Sequence, residues 1–152
     1  MNIKYIFIVL GEPYSIFSEI LGKYFAKTKK LKKKIVIFGD INLLKKQLNK
    51  LDYKISLNEI KNLNETKINK INILNIDSKK KKIFSKISEQ SNKYIEESFN
   101  QFFMLSKMSK EKFVLINGPV SKKTFLKKKH LGITEYLAKK TQSKNELMLI
   151  YN

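Results

Sequence analysis

Residues 113–138 read FVLINGPVSKKTFLKKKHLGITEYLA, and the order of residue types in this stretch decides the fold. Phe113 to Ile116 is a short apolar run with β-branched residues, the pattern of a buried strand. Asn117-Gly118-Pro119 breaks it, because glycine admits unusual φ and proline removes a donor. A polar, Lys-rich segment follows. Gly132-Ile133-Thr134-Glu135 then opens a helical pattern that runs through Tyr136, Leu137 and Ala138. Open α/β sheets bind ligands where a strand ends in a tight turn that feeds a helix N-terminus. The free N–H groups there favour phosphate and carboxylate.

Working outward, the remaining chain alternates strands and helices. Ile3–Leu10 is apolar on both alternating faces and predicts a central first strand, turned by Gly11-Glu12-Pro13. Ser15 or Ser18 can cap a helix to about Ala26. After the basic linker 27–34, Ile35–Phe38 predicts a second strand. Asp40 or Asn42 then caps a helix bearing Leu43, Leu44, Leu48 and Leu51. A short strand is expected near Tyr53–Leu57, and Ile71–Ile76 alternates Ile and Asn like a strand with one solvated face. Asp77–Lys82 is a charged turn. Ser85–Met108 carries an apolar stripe from Ile87 through Tyr94, Ile95, Phe99, Phe102, Phe103 and Leu105, which predicts the longest helix as core packing. A further helix covers Thr134–Thr141, and Leu147–Tyr151 is read as a last strand. The pattern as a whole predicts an α/β fold, a mostly parallel sheet flanked by helices.

Bulk properties narrow the function. A chain of 152 residues suits one domain, here a single α/β unit over residues 1–152. It has no Cys, which excludes a disulfide framework or a thiolate metal site and fits a reducing cytoplasm. No apolar run reaches membrane-spanning length, and IKYIFIVL lacks the small-residue cleavage site of a signal peptide. The formal charge of +19 suggests a polyanion partner, yet every one of the 32 basic residues is Lys. Guanine readout and bidentate phosphate grip favour Arg, so the composition argues against nucleic acid and for lysines spread over solvated faces. A single His cannot make a metal site, so His130 is read as a bystander.

The motifs NGPVSK and GITEYLA resemble the TAPINK and GHTEFLA segments of the 4-hydroxythreonine-4-phosphate dehydrogenases of pyridoxal phosphate biosynthesis. GEPYSIFSE, residues 11–19, resembles that family's GDPAGIGPE: Gly11, Pro13, Ile16 and Glu19 match, Glu12 replaces Asp, and Phe17 and Ser18 replace Gly and Pro. The resemblance runs the length of the chain but covers only about the N-terminal half of a usual member. It implies an isocitrate/isopropylmalate-dehydrogenase-like α/β/α fold, incomplete here, and a cytoplasmic homodimer. It also implies NAD- or NADP-dependent oxidation of 4-phosphooxy-threonine, followed by decarboxylation, with a divalent metal polarising the reacting oxygen. The family's metal-binding His residues and most cofactor contacts fall after the segment where this sequence stops. The resemblance therefore implies that the catalytic half is absent and that the 152-residue chain alone does not turn over.

For the phosphorylated substrate, the resemblance points to Thr134 at the family Thr, Glu135 at its Glu and Lys122 at the Lys of TAPINK. Ile133 stands where the family has His and removes one hydrogen-bonding contact. Lys122 and Thr134 are expected together at the C-terminal edge of the sheet, beside the Gly11–Pro13 turn. Two other readings compete: a non-catalytic remnant or paralogue that binds an anion or a partner, and a basic polyanion-binding protein.

Overall fold

The computed structural model describes residues 2–127 and 129–143. Five parallel strands form one sheet in the order β3-β4-β2-β1-β5. They are β1 (Tyr5–Val9), β2 (Lys34–Gly39), β3 (Leu57–Ile60), β4 (Ile71–Asn75) and β5 (Phe113–Asn117). The helices are α1 (Phe17–Lys27), α2 (Ile41–Lys50), α3 (Asn92–Met108) and α4 (Ile133–Thr141). The sheet predicted from the alternating pattern is thus present and, among the described residues, wholly parallel. Leu147–Tyr151, read as a last strand, lies outside the described residues.

The near-continuous apolar runs of β1 and β2 follow from their position, since inner strands of a parallel sheet are buried on both faces. Phe7, Val9, Val36 and Phe38 face α3, where Phe99 and Phe102 pack on them. The Phe7 and Phe38 rings both meet Phe102 edge-on, with centroids 6.0 and 5.9 Å apart. Ile8, Ile35, Ile37 and Ile73 face the other way, under α1 and α2. Asp40 caps α2 as expected: its Oδ1 accepts the Leu43 N–H at 2.9 Å.

Several boundaries differ from the sequence expectation. α1 begins at Phe17; Ser15 Oγ accepts the Phe17 N–H at 3.3 Å just ahead of it, and Ser18 is buried within the helix. α3 begins at Asn92 after a 3-10 turn at Glu89–Ser91, not at Ser85, and Ile87 stays 48% exposed with no core to join. The short strand is Leu57–Ile60, after Tyr53 rather than from it, because the Tyr53 ring is used to pack on Gly22 of α1.

The solvated face expected for 71–76 is also absent at Asn72, which is fully buried. Its amide donates to the Ile35, Lys67 and Lys70 carbonyls, and its Oδ1 accepts from the Asn58 side chain at 2.9 Å and the Lys67 N–H at 2.9 Å. A buried amide is tolerated where every polar atom is paired, as here.

Candidate functional site

β1 and β5 pair in parallel, with Val9 opposite Asn117, so the turns that follow them emerge side by side at the C-terminal edge of the sheet. The two turns interlock through backbone. Gly118 N–H donates to the Val9 carbonyl at 2.7 Å, and Glu12 N–H donates to the Pro119 carbonyl at 2.8 Å. Gly11 sits at φ +71°, and a Cβ there would collide with the Pro119 and Gly118 carbonyls. Gly118 is equally constrained, since its own Cβ would run into the Leu10 carbonyl. The Gly-Glu-Pro and Asn-Gly-Pro blocks, more than a hundred residues apart, are therefore one structural object.

Elements from the rest of the sheet brace it. Gln47 of α2 donates to the Pro13 carbonyl at 2.7 Å and to that of Ile83 at 3.0 Å. The Tyr14 hydroxyl donates to the Lys82 carbonyl, and the Lys80 ammonium lies 5.7 Å from the Tyr14 ring centroid. At the end of β2, Asp40 Oδ2 accepts the Ser78 N–H at 3.0 Å and the Ser78 hydroxyl at 2.6 Å. The Tyr94 hydroxyl accepts the Asp40 N–H at 3.2 Å, and burial pushes its pKa well above the ordinary tyrosine range.

Glu12 is the residue that sequence reasoning passed over. It is 2% exposed. Its Oε1 accepts the Ser91 hydroxyl at 3.0 Å and, more weakly, the Tyr14 N–H at 3.4 Å. Its Oε2 is buried with no hydrogen-bond partner among the described residues. Burial raises its pKa, with the Ser91 bond, the Tyr14 N–H and the Lys80 charge pulling the other way. The signal available in the sequence was a carboxylate directly between the glycine and proline of a strand-ending turn. Its partner Ser91 lies 79 residues away and carries no such mark.

The residues picked out by resemblance stand in looser surroundings. Lys122 is exposed in the turns that follow Val120. Thr134 and Glu135 belong to the first turn of α4, whose N-cap is Gly132 with no side-chain cap bond; Thr134 is therefore not the cap. The Glu135 carboxylate folds back toward Gly132, as first-turn acids do near the positive end of a helix. Ile133 packs against the aromatic cluster under α3. No hydrogen bond or ion pair joins Lys122 to Thr134 or Glu135 among the described residues. His130 meets the Tyr136 ring edge-on at 5.5 Å and lines an open depression of about 610 Å³ together with Lys127, Lys129, Lys139 and Lys140. Among the described residues no group of three or more His, Cys, Asp or Glu is placed to hold a metal ion, so these residues do not fit a metal centre. No helix among them is long and apolar enough to cross a membrane.

Residues 30–152 match the sequence model of a family described as pyridoxal phosphate biosynthetic protein PdxA. The chain belongs to the PdxA family. The match starts after Gly-Glu-Pro, yet the fold seats that turn directly on the Asn-Gly-Pro block inside the matched span. The backbone is similar to the 4-hydroxythreonine-4-phosphate dehydrogenase of Klebsiella pneumoniae, with a TM-score of 0.80 and 20% identity over 100% of this chain and 48% of that one. The dehydrogenase of the same description from Burkholderia phymatum gives a TM-score of 0.78 and 16% identity, covering 95% of this chain and 46% of that one. The chain thus spans about half the length of the solved PdxA-like structures it matches. No match is found among curated protein sequences.

Proposed function

We propose that this chain is 4-hydroxythreonine-4-phosphate dehydrogenase-like and supplies the substrate-anion part of a site for NAD- or NADP-dependent oxidation of 4-phosphooxy-threonine. The observation that carries this reading is the interlock of the Gly-Glu-Pro and Asn-Gly-Pro turns. It builds one rigid edge from the blocks that resemble the family, at the end of the sheet where such folds take ligands. In this reading Lys122 supplies an ammonium and Thr134, in the first turn of α4, a hydroxyl to a phosphorylated substrate, and the first-turn N–H groups of α4 add to them. The Ile133 side chain offers nothing to an anion, since it is engaged in packing. We further propose that residues 1–152 act as a single α/β unit, and that the protein works as a cytoplasmic homodimer; the family supports both.

Hydride transfer from a secondary alcohol needs a base or metal on the oxygen and a nicotinamide held against the carbon. The described residues fit no metal centre. The test is an NAD-reduction assay with 4-phosphooxy-threonine and added divalent metal, alongside a calorimetric titration of the same ligand. The expected outcome is weak binding without turnover by the 152-residue chain. Turnover by this chain would overturn the assignment of its residues to the substrate-anion part alone. Absence of any binding would overturn the substrate assignment.

A further inference from the structure

Lysines from two elements converge on one depression. Lys139 and Lys140 share a face of α4 with Tyr136, one turn before them. Lys127 and Lys129 come from the loop ahead of that helix and line the same depression, the one of about 610 Å³ beside His130. All of these lysines are exposed, and Glu96 is the carboxylate that lines it with them. Lys127 lies 3.7 Å from Glu89, while no ion pair engages Lys129, Lys139 or Lys140 among the described residues. A helix C-terminus favours cations, which accounts for Lys139 and Lys140 but not for the loop lysines that gather with them.

A second observation falls in the same place. Four buried side-chain polar atoms lack a hydrogen-bond partner among the described residues, and three of them gather here: Asn92 Oδ1, Thr124 Oγ1 and the Tyr136 hydroxyl. Asn92 and Tyr136 line the depression, and Asn92 Nδ2 donates to the Thr124 carbonyl at 2.9 Å. Tyr136 is 7% exposed. Burial, with the Glu96 charge adding to it, pushes its pKa up to about 12, so the hydroxyl remains a donor at neutral pH. Native folds leave few such atoms unpaired, and a group of them beside converging cations calls for a bound partner.

We propose that this depression binds a polyphosphate group, free or carried by a nucleoside, at a site separate from the first turn of α4. Lys122, Thr134 and Glu135 do not line it, so it goes beyond the substrate reading above. Its volume suits a small molecule. Lysine ammonium groups act as point charges without the fork of arginine, which matches a flexible chain of phosphates better than one planar carboxylate. The Tyr136 hydroxyl supplies a neutral donor, directly or through one water. Phe125 and His130, both half-buried, offer ring surface to a nucleoside. A depression between the start of α3 and the end of α4, rather than a stripe along one face, favours a compact anion over a nucleic-acid backbone.

The test titrates tripolyphosphate, ATP and NAD calorimetrically into the full 152-residue chain at low salt. Tripolyphosphate is expected to bind one-to-one, and the double variant Lys139→Ala, Lys140→Ala to weaken it about tenfold. The charge-matched pair Lys45→Ala, Lys46→Ala, exposed on α2 over the opposite face of the sheet, is expected to change it less than about twofold. Tyr136→Phe removes a hydroxyl that no described contact uses, so it should not lower the melting temperature, yet it should weaken binding about threefold or more. ATP binding tighter than tripolyphosphate assigns the ligand to nucleotides, and equal or weaker binding assigns it to free polyphosphate. NAD, with fewer phosphate charges, is expected to bind more weakly than ATP. Absence of binding, equal losses in the two lysine pairs, indifference to Tyr136→Phe, or NAD binding as tightly as ATP overturns the proposal. A single-stranded oligonucleotide that displaces tripolyphosphate at equal phosphate concentration, with the same sensitivity to the Lys139, Lys140 pair, overturns it in favour of nucleic acid.

Discussion

The two parts of the candidate site are built on different principles. The Gly11–Pro13 and Asn117–Pro119 turns are held by backbone hydrogen bonds and by the absence of side chains at Gly11 and Gly118. The first turn of α4 and the loop before it present side chains, Thr134 and Lys122, that make no side-chain hydrogen bond or ion pair among the described residues. One part is scaffold and tolerates little. The other carries the proposed ligand contacts, and there Ile133 stands where the family resemblance expects His. A chain can keep the fold of its family through the first part while its ligand contacts drift in the second.

The largest expected effect comes from breaking the scaffold. Gly11→Ala should destabilise the protein by about 3 kcal/mol, combining the cost of a left-handed backbone for a Cβ-bearing residue with that of overpacking. The collision is with carbonyl groups, which cannot rotate away as a flexible side chain would. Urea unfolding monitored by circular dichroism measures the loss. A loss under 1 kcal/mol would mean the turns are not interlocked as described.

How much of this was legible follows from the same contrast. The strand, turn and helix order around 113–138 was readable because apolar runs and Gly-Pro punctuation act locally. β1 was readable as a central strand, and β2 as a strand, because burial on both faces leaves unbroken apolar runs. The start of α3 was misplaced because Ile87 continues the stripe in sequence while finding no core in space. Asn72 looked solvated because nothing local announces that Asn58, Ile35, Lys67 and Lys70 will meet all of its polar atoms. The resemblance marked the Gly11 and Asn117 blocks as belonging together in order, but not the backbone bonds that seat one turn on the other, and the Glu12–Ser91 bond depends on a contact no periodicity encodes.

Glu12 offers an intermediate effect that sharpens the contrast, since it is a charged group placed inside the scaffold. Burial raises its pKa above the ordinary 4.5, so the folded state holds its proton more tightly than the unfolded chain. Any stabilising contribution is then complete below pH 4.5 and is lost as pH rises through the folded value. Glu12→Gln keeps the Ser91 contact and removes the ionisation. At neutral pH the variant should be more stable than the parent by about 1 kcal/mol, because the neutral amide avoids the cost of holding an ionised carboxylate out of water, even though its Nε2 inherits the unpartnered position of Oε2. The gap should close as pH falls below the folded pKa. A melting-temperature series across pH 3.5–8 in parent and variant would reveal it; parallel curves would show that Glu12 does not titrate differently on folding.

The smallest effect on stability is expected where the effect on binding is greatest. Lys122 is exposed, and Thr134 makes no side-chain hydrogen bond among the described residues, so Lys122→Ala and Thr134→Ala should leave the melting temperature within experimental scatter. Their proposed work is done only when an anion is present. A charge-assisted hydrogen bond from an ammonium to phosphate is worth enough that Lys122→Ala should weaken 4-phosphooxy-threonine binding about tenfold. Thr134→Ala, which loses a neutral hydroxyl, should cost several-fold less, and Thr134→Ser should recover most of it. Added salt should erode the Lys122 contribution more than the Thr134 one, because only the former is screened. Equal losses from Lys122→Ala and Lys123→Ala would instead assign the binding to diffuse positive charge, and the comparison between a built edge and a free-standing ligand contact would fail at that point.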